Sequence, residues 1–231
     1  SFADDQVVYL SWSQPGEGGA GAAVGRATLT VDDAGARLTG LEEIWVQQPK
    51  VDGRGHFSQR LALSPDGDHL FVSSGERQKM DPAQDPDSDL GKIIRIRLSD
   101  DSAGHWTKGH RNPLGLAFDA EGNLWSSEMG PQGGDELNLI VEGGNYGWPL
   151  ASNGSHYDGG EIPDHRAGDG FEAPKLWWTP SVSPGSLMIY SGELFPYWQG
   201  DAFLGALSGE ALIRADLDGT DATEADLWKM G

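Results

Sequence analysis

The chain has 231 residues, with 34 glycines, 9 tryptophans and no cysteine, a length that makes one large domain or two small ones and is enough to bury a sizeable core. Its 16 basic and 36 acidic residues give a formal charge of −20, which repels phosphate backbones and excludes nucleic acid as a partner while favouring solubility and leaving local carboxylates for a cation. Disulfide and thiolate chemistry are ruled out, and no apolar run approaches the ~18 residues of a membrane span.

The start at Ser1-Phe2-Ala3 shows no signal peptide and reads as a point inside a longer chain. Short apolar or alternating runs ending at Gly, Pro, Asp or Asn then predict strands. In order these cover Val7–Trp12, Leu61–Leu63, His69–Ser73, Lys92–Leu98, Leu114–Phe118, Asn123–Ser127, Glu136–Val141, Ser186–Tyr190, Ala202–Leu207 and Ala211–Asp216. Stretches 76–91 and 150–175 are polar and rich in Pro, Gly and Asp, so they read as long excursions of a kind that is often functional. No amphipathic helix longer than two turns is expected, and the class is all-β.

One hairpin is written twice. Residues 61–74 read LALSPDGDHLFVSS and residues 116–127 read LAFDAEGNLWSS. Repeated hairpins at this spacing suggest propeller blades with loop insertions, and at ~43 residues per blade the chain makes roughly five. A β-sandwich is the structural alternative, but it gives no reason for the repeat. Five positions before each Leu-Ala stand His56 and Arg111. Equivalent entry loops of successive blades open on one face near the channel, so both residues should meet there with Gly75-Glu76 and Glu128-Met129-Gly130-Pro131.

His56 is either an ordinary loop histidine or a proton-transfer group, with Glu76 placed to hold its imidazole. Arg111 beside Asn112 offers donors to an anionic or carbonyl-rich ligand, or pairs with a surface carboxylate. His110 is expected only to pack or hydrogen-bond locally. The loop Gly130-Pro131-Gln132-Gly133-Gly134-Asp135-Glu136 could turn carbonyls toward a hard cation, although on its own it reads as a tight loop with solvated Asp135 and Glu136. Trp148, Trp177, Trp178 and Trp198 read as core or blade-packing residues.

Taken in order, HFSQRL from His56, AQDPDSDLGKIIRIRL from Ala83, GHRNPLGLAF from Gly109, SEMGPQGGDELNLI from Ser127, GNYGWP from Gly144 and FPYWQGDAFLGAL from Phe195 resemble the soluble aldose sugar dehydrogenases of the glucose/sorbosone dehydrogenase family. The resemblance runs over nearly the whole chain. It implies a six-bladed β-propeller of four-stranded blades, with residues 1–231 forming one partial domain whose first and last blades are missing or incomplete. It also implies pyrroloquinoline quinone (PQQ) and Ca²⁺ as cofactors, an aldose oxidised at its C1 hydroxyl to a lactone by hydride transfer to the quinone, a periplasmic or secreted location, and a monomer or homodimer. In that reading His56 is the general base, Glu76 orients it, and Arg111 stabilises charge developing on the quinone oxygens. The implied cofactor-lining positions are Arg111, Asn112, Met129, Tyr157, Ser181 and Ser183. The implied calcium positions are Gly130 and Pro131 for the ion that holds the quinone, and Glu136 and Tyr146 for a second, structural ion.

The chain departs from the family pattern at Gln59, where glycine is usual, at Met129, where a more polar residue is usual, and at Ser208, where relatives often carry a lysine that pairs with a PQQ carboxylate. The stretch from Asp100 to Gly109 is short, as if a loop were absent. The alternatives are a non-catalytic carbohydrate- or protein-binding propeller and a Ca²⁺-dependent lactone hydrolase. The hydrolase would need more axial carboxylates and amides than Glu76 and Asn112 provide.

Overall fold

A computed structural model describes residues 5–33 and 35–230; the Ser1-Phe2-Ala3 start lies outside them. The architecture is all-β. Strands β1 (Val7–Gly16), β2 (Gly19–Asp32) and β3 (Gly35–Val46) form a three-stranded meander. A four-stranded sheet follows, built from β4 (Ser58–Leu63), β5 (His69–Ser74), β6 (Lys92–Arg97) and β7 (Ala103–Lys108). The third sheet has the order β8 (Pro113–Phe118), β9 (Leu124–Glu128), β11 (Asp135–Ile140), β13 (Leu176–Trp178). Between them, β10 (Gln132–Gly133) pairs with β12 (Gly154–Ser155) as a small ribbon. The fourth sheet runs β14 (Met188–Ile189), β15 (Ala202–Ala206), β16 (Ala211–Asp218), β17 (Asp221–Lys229).

Four sheets stand where chain length alone suggests roughly five, because residues 142–175 carry almost no sheet. The sheets stack like blades: β1 lies beside β4, β4 beside β8, and β8 beside β14. Alternation along each strand explains the stacking. Leu70 and Val72 of β5, with Ile94 and Ile96 of β6, pack on Ala22, Val24, Ile44 and Trp45 of the first sheet. Phe71, between the two β5 residues, and Ile93, just before Ile94, pack on Leu116, Leu124 and Ile140 of the third sheet. Both faces of the second sheet are thus covered, and β6 buries Ile93, Ile94 and Ile96 between its charged residues.

The repeated hairpins are present, with one difference in register. Leu61 pairs with Val72 and Leu116 with Ser126. The first hairpin turn is one residue longer, so Ser73 matches Ser127, and the two Ser-Ser pairs are offset by one. The matched serines do the same work. Ser73 Oγ donates to the Pro113 carbonyl (2.9 Å) and Ser127 Oγ to the Ser186 carbonyl (3.3 Å), each tying a sheet to the next one.

The 76–91 excursion is fastened from below. Lys92 is fully buried, and its Nζ donates to the carbonyls of Pro82 (2.9 Å), Ala83 (3.1 Å) and Leu90 (2.7 Å). Lys92→Met leaves the Leu90 carbonyl without its donor, while Pro82 and Ala83 keep the N–H groups of Asp85 and Gly109, and should cost about 1–3 kcal/mol. Urea denaturation measures this, and a loss below about 0.5 kcal/mol would show that the lysine is dispensable.

Candidate active site

His56 and Arg111 open onto one groove of about 560 Å³. The entry segments of β4 and β8 bring them together, as the repeat requires. The Glu76 N–H donates to the Arg111 carbonyl (2.9 Å), and Ser58 Oγ donates to Asn112 Oδ1 (3.1 Å). His56, Ser58 and Gln59 all have positive φ, at 49°, 60° and 70°. Glycine would adopt that backbone freely, and its occupation by three residues with side chains marks the entry to β4 as strained.

His56 Nδ1 is hydrogen-bonded to Glu76 Oε1. Glu76 itself is buried, and it also accepts the N–H groups of Gln78 (3.0 Å) and Met80 (2.5 Å). Burial opposes its ionisation, yet the bonds from His56 and the Met80 N–H hold the carboxyl below the usual range. An ionised Glu76 fixes the proton of neutral His56 on Nδ1 and leaves Nε2 as an acceptor.

Arg111 and Asn112 are held by a second buried carboxylate. Glu128 Oε1 accepts both main-chain N–H groups (3.1 Å for Asn112), and its Oε2 is 2.9 Å from His110 Nδ1. His110 also stacks on Tyr146 with ring centroids 4.5 Å apart, the local packing role expected of it. The Arg111 guanidinium lies over the Trp148 ring at 5.3 Å, and it donates to the Met129 carbonyl (3.0 Å) and Tyr157 hydroxyl (3.3 Å). Two of its five N–H donors are thereby used. Met129 contributes its carbonyl here and is among the residues that line the groove.

The opposite wall corrects the reading of Asp135 and Glu136 as solvated. Both are buried, at 1% and 7% exposure, because they open β11 in the middle of the third sheet. Asp135 accepts the N–H groups of Gly130 (2.8 Å), Val182 (2.7 Å) and Ser183 (2.7 Å), so one carboxylate joins the Gly-Pro turn to the 181–183 segment. Burial still pushes its pKa up. Ser181 and Ser183 line the groove with Ser208, whose hydroxyl bonds Ser183 Oγ at 2.8 Å.

Gly130, Pro131, Glu136 and Tyr146 surround a smaller cavity of about 10 Å³, room for one water or ion. Gly130 and Pro131 also line the groove, so the two spaces share that turn. The Tyr146 hydroxyl is committed to the Leu139 carbonyl (2.6 Å) and the Val141 N–H (2.9 Å), which leaves only its main-chain carbonyl for a cation. Burial, then the neighbouring Glu128, pushes Glu136 up to about 8. His165 Nε2 stands 3.8 Å from Glu136 Oε1, and neither ring nitrogen of His165 has a hydrogen-bond partner. Sequence reasoning missed His165 because nothing in its loop marks it as buried.

Asp135→Ala should free three N–H groups, that of Val182 buried and those of Gly130 and Ser183 half-buried, and cost about 2–3 kcal/mol. Hydrogen exchange should accelerate at the amides of Gly130, Val182 and Ser183 together. Unchanged protection at those three amides would refute the clamp.

Among the described residues, no helix is long and apolar enough to cross a membrane. The model of the glucose / sorbosone dehydrogenase family matches residues 1–231. Aldose sugar dehydrogenase YliI of Escherichia coli (strain K12) is 36% identical over 240 residues, covering 96% of this chain and 64% of that protein. The chain therefore spans a little under two thirds of this relative's length. A crystal structure of glucose dehydrogenase aligns with TM-score 0.89 at 38% identity, over 99% of this chain and 70% of that one. The PQQ-bound aldose sugar dehydrogenase from Streptomyces coelicolor aligns with TM-score 0.76 at 29% identity, over 98% of this chain and 63% of that one. The matching of all 231 residues, with the sheet order and site loops described above, makes this chain a member of the glucose / sorbosone dehydrogenase family.

Proposed function

We propose that the protein is a PQQ- and Ca²⁺-dependent dehydrogenase that oxidises the C1 hydroxyl of an aldose to a lactone. The observation that carries this is His56, backed by the buried Glu76, lining the same groove as Arg111 and Asn112. His56 Nε2 is the free acceptor, and it takes the proton of the anomeric hydroxyl as the C1–H bond breaks. The resulting imidazolium is held against the Glu76 carboxylate, which offsets the charge it gains. The unused Arg111 donors and the Asn112 amide face a region where negative charge develops. When bound, PQQ supplies the hydride acceptor and Ca²⁺ polarises its carbonyl.

The groove suits the quinone in volume and in its donor set, with Arg111, Asn112, Tyr157, Ser181 and Ser183 around it. Ser208 supplies a hydroxyl where a cation would pair more strongly with a carboxylate of the ligand, which predicts weaker quinone binding than in relatives with lysine. No hydrogen bond to the Gly130 or Pro131 carbonyl occurs among the described residues, so both are available to a hard cation. The second cavity suits Ca²⁺ because Glu136 is buried there without a bonded cation. The same reading makes the four sheets part of one six-bladed propeller domain, in a protein exported to the periplasm or beyond, monomeric or homodimeric.

Titration with PQQ and Ca²⁺ should change the quinone absorbance and give aldose-dependent dye reduction. His56→Ala should retain the absorbance change and lower turnover about 100-fold or more. An absent absorbance change, or full turnover in the variant, would overturn the proposal; sugar binding by a protein that takes up no PQQ would instead favour a non-catalytic carbohydrate-binding propeller. Ca²⁺ at about 100 times its Kd should stabilise the protein by about 2.7 kcal/mol. Glu136→Gln should reduce that gain, and an equal gain in the variant would exclude Glu136 as a ligand.

A further inference from the structure

Arg77, just after β5, is a buried guanidinium that no step of the proposed reaction uses. It is 1% exposed, and nothing in the local pattern marks it, since an arginine that follows a hairpin ordinarily faces solvent. The two acids whose charge it feels are engaged elsewhere, Glu76 with His56 and Asp52 with Lys79. Each of its three nitrogens donates instead to a main-chain carbonyl. Nε takes that of Gly55 (2.9 Å), Nη2 that of Gly53 (2.7 Å) and Nη1 that of Ala20 in β2. The guanidinium also lies over the Phe57 ring, 3.5 Å from its centroid.

These contacts bracket His56. Residues 52–57 form no regular strand, so their carbonyls need donors from outside the segment. Main-chain donors reach it only at long range: the Gly75 and Arg77 N–H groups stand 3.4 and 3.3 Å from the Phe57 and His56 carbonyls. The guanidinium bonds to Gly53 and Gly55 are shorter and charge-assisted, and so stronger. The segment is pressed close against the end of β5, because a Cβ on Gly75 would lie 2.1 Å from the His56 carbonyl oxygen. A histidine at φ 49° persists only where its surroundings enforce that conformation. Arg77 supplies the strongest bonds on one side of it and the stacked ring contact on the other.

We propose that Arg77 is the positioning residue of the candidate base, fixing the positive-φ turn at His56 so that Nδ1 meets Glu76 and Nε2 is presented to the groove. Consecutive residues then divide the work. The Glu76 carboxylate holds the imidazole, and the Arg77 guanidinium holds the main chain that carries it and ties that segment to the first sheet through Ala20. Arg77 lines neither the groove nor the smaller cavity, so it acts through His56 alone. The consequence for turnover rests on the reading of His56 as the base; the control of the imidazole by Arg77 does not.

The test compares Arg77→Met and Arg77→Lys with the parent protein by NMR, without PQQ or added Ca²⁺, through the exchange of the imidazole Nδ1 protons. His110, paired with Glu128, is the internal control. In Arg77→Met the His56 proton should exchange about tenfold faster or more while the His110 proton is unchanged, and Arg77→Lys should fall between. After reconstitution with PQQ and Ca²⁺, Arg77→Met should lower kcat about 10- to 100-fold with KM and the quinone titration little changed, and lysine should restore part of the loss. An unchanged His56 proton, or equal acceleration at His56 and His110, would overturn the positioning role. If Arg77→Met does not fold, Arg77→Lys decides on the same two protons. A His56 response in a protein that turns over no aldose would sink the base assignment and leave the positioning role standing. Turnover in the parent with a His56 proton indifferent to Arg77 would sink the positioning role alone.

Discussion

Three buried carboxylates at strand ends hold the loops of this site by their main-chain N–H groups. Glu76 receives Gln78 and Met80, Glu128 receives Arg111 and Asn112, and Asp135 receives Gly130, Val182 and Ser183. Loops that leave a sheet toward a groove carry N–H donors with no strand partner, and buried donors must be satisfied. A carboxylate acceptor makes the stronger, charge-assisted bond, and it takes two or three donors at once. Each such acid thereby sets the path of a loop as well as its anchor. The candidate base, the Arg111 and Asn112 donors proposed for the quinone, and the Gly-Pro turn all inherit their positions from these three acids.

The clamps work because the sheets beneath them are rigid. Both faces of the second sheet are packed, on Trp45 and Val24 at one side and on Leu116 and Ile140 at the other. The third and fourth sheets share a core around Trp125, Leu137, Leu204 and Ile213. Serines at equivalent positions then tie one sheet to the next by single hydrogen bonds. A repeated unit that cannot bury both faces alone gains stability from its neighbours, and the entry loops of successive units are brought to one rim as a result.

Much of this was legible in the sequence, for identifiable reasons. The doubled Leu-Ala hairpin carries alternation, turn residues and a Ser-Ser end, so it placed His56 and Arg111 at equivalent entries. Glu76 stood out as the acid closing the first hairpin. The first sheet was harder: β2 and β3 are rich in Gly, Ala, Thr and Glu, so their strand pattern is weak, and only part of β1 was expected. Likewise β7, in the shortened stretch after Asp100, and the polar β17 lack an apolar alternation. Asp135 and Glu136 were misread because acids in a Gly-rich loop usually face water. Their burial depends on β9 and β13 flanking β11, which is long-range pairing that local pattern does not reveal. Trp177 failed as a packing residue, at 56% exposure beside the buried Trp178, for the opposite reason: two adjacent tryptophans on a strand face opposite ways, and local pattern does not say which one is inside.

The account turns on one pairing, a histidine whose Nδ1 is given to a buried glutamate so that Nε2 is left for substrate. A crystal structure of the protein with PQQ, Ca²⁺ and an aldose tests it most directly. The account predicts the quinone in the groove beside Arg111 and Asn112, with the sugar C1 hydroxyl in hydrogen-bond reach of His56 Nε2. A quinone bound elsewhere, or a sugar hydroxyl facing a residue other than His56, would contradict it.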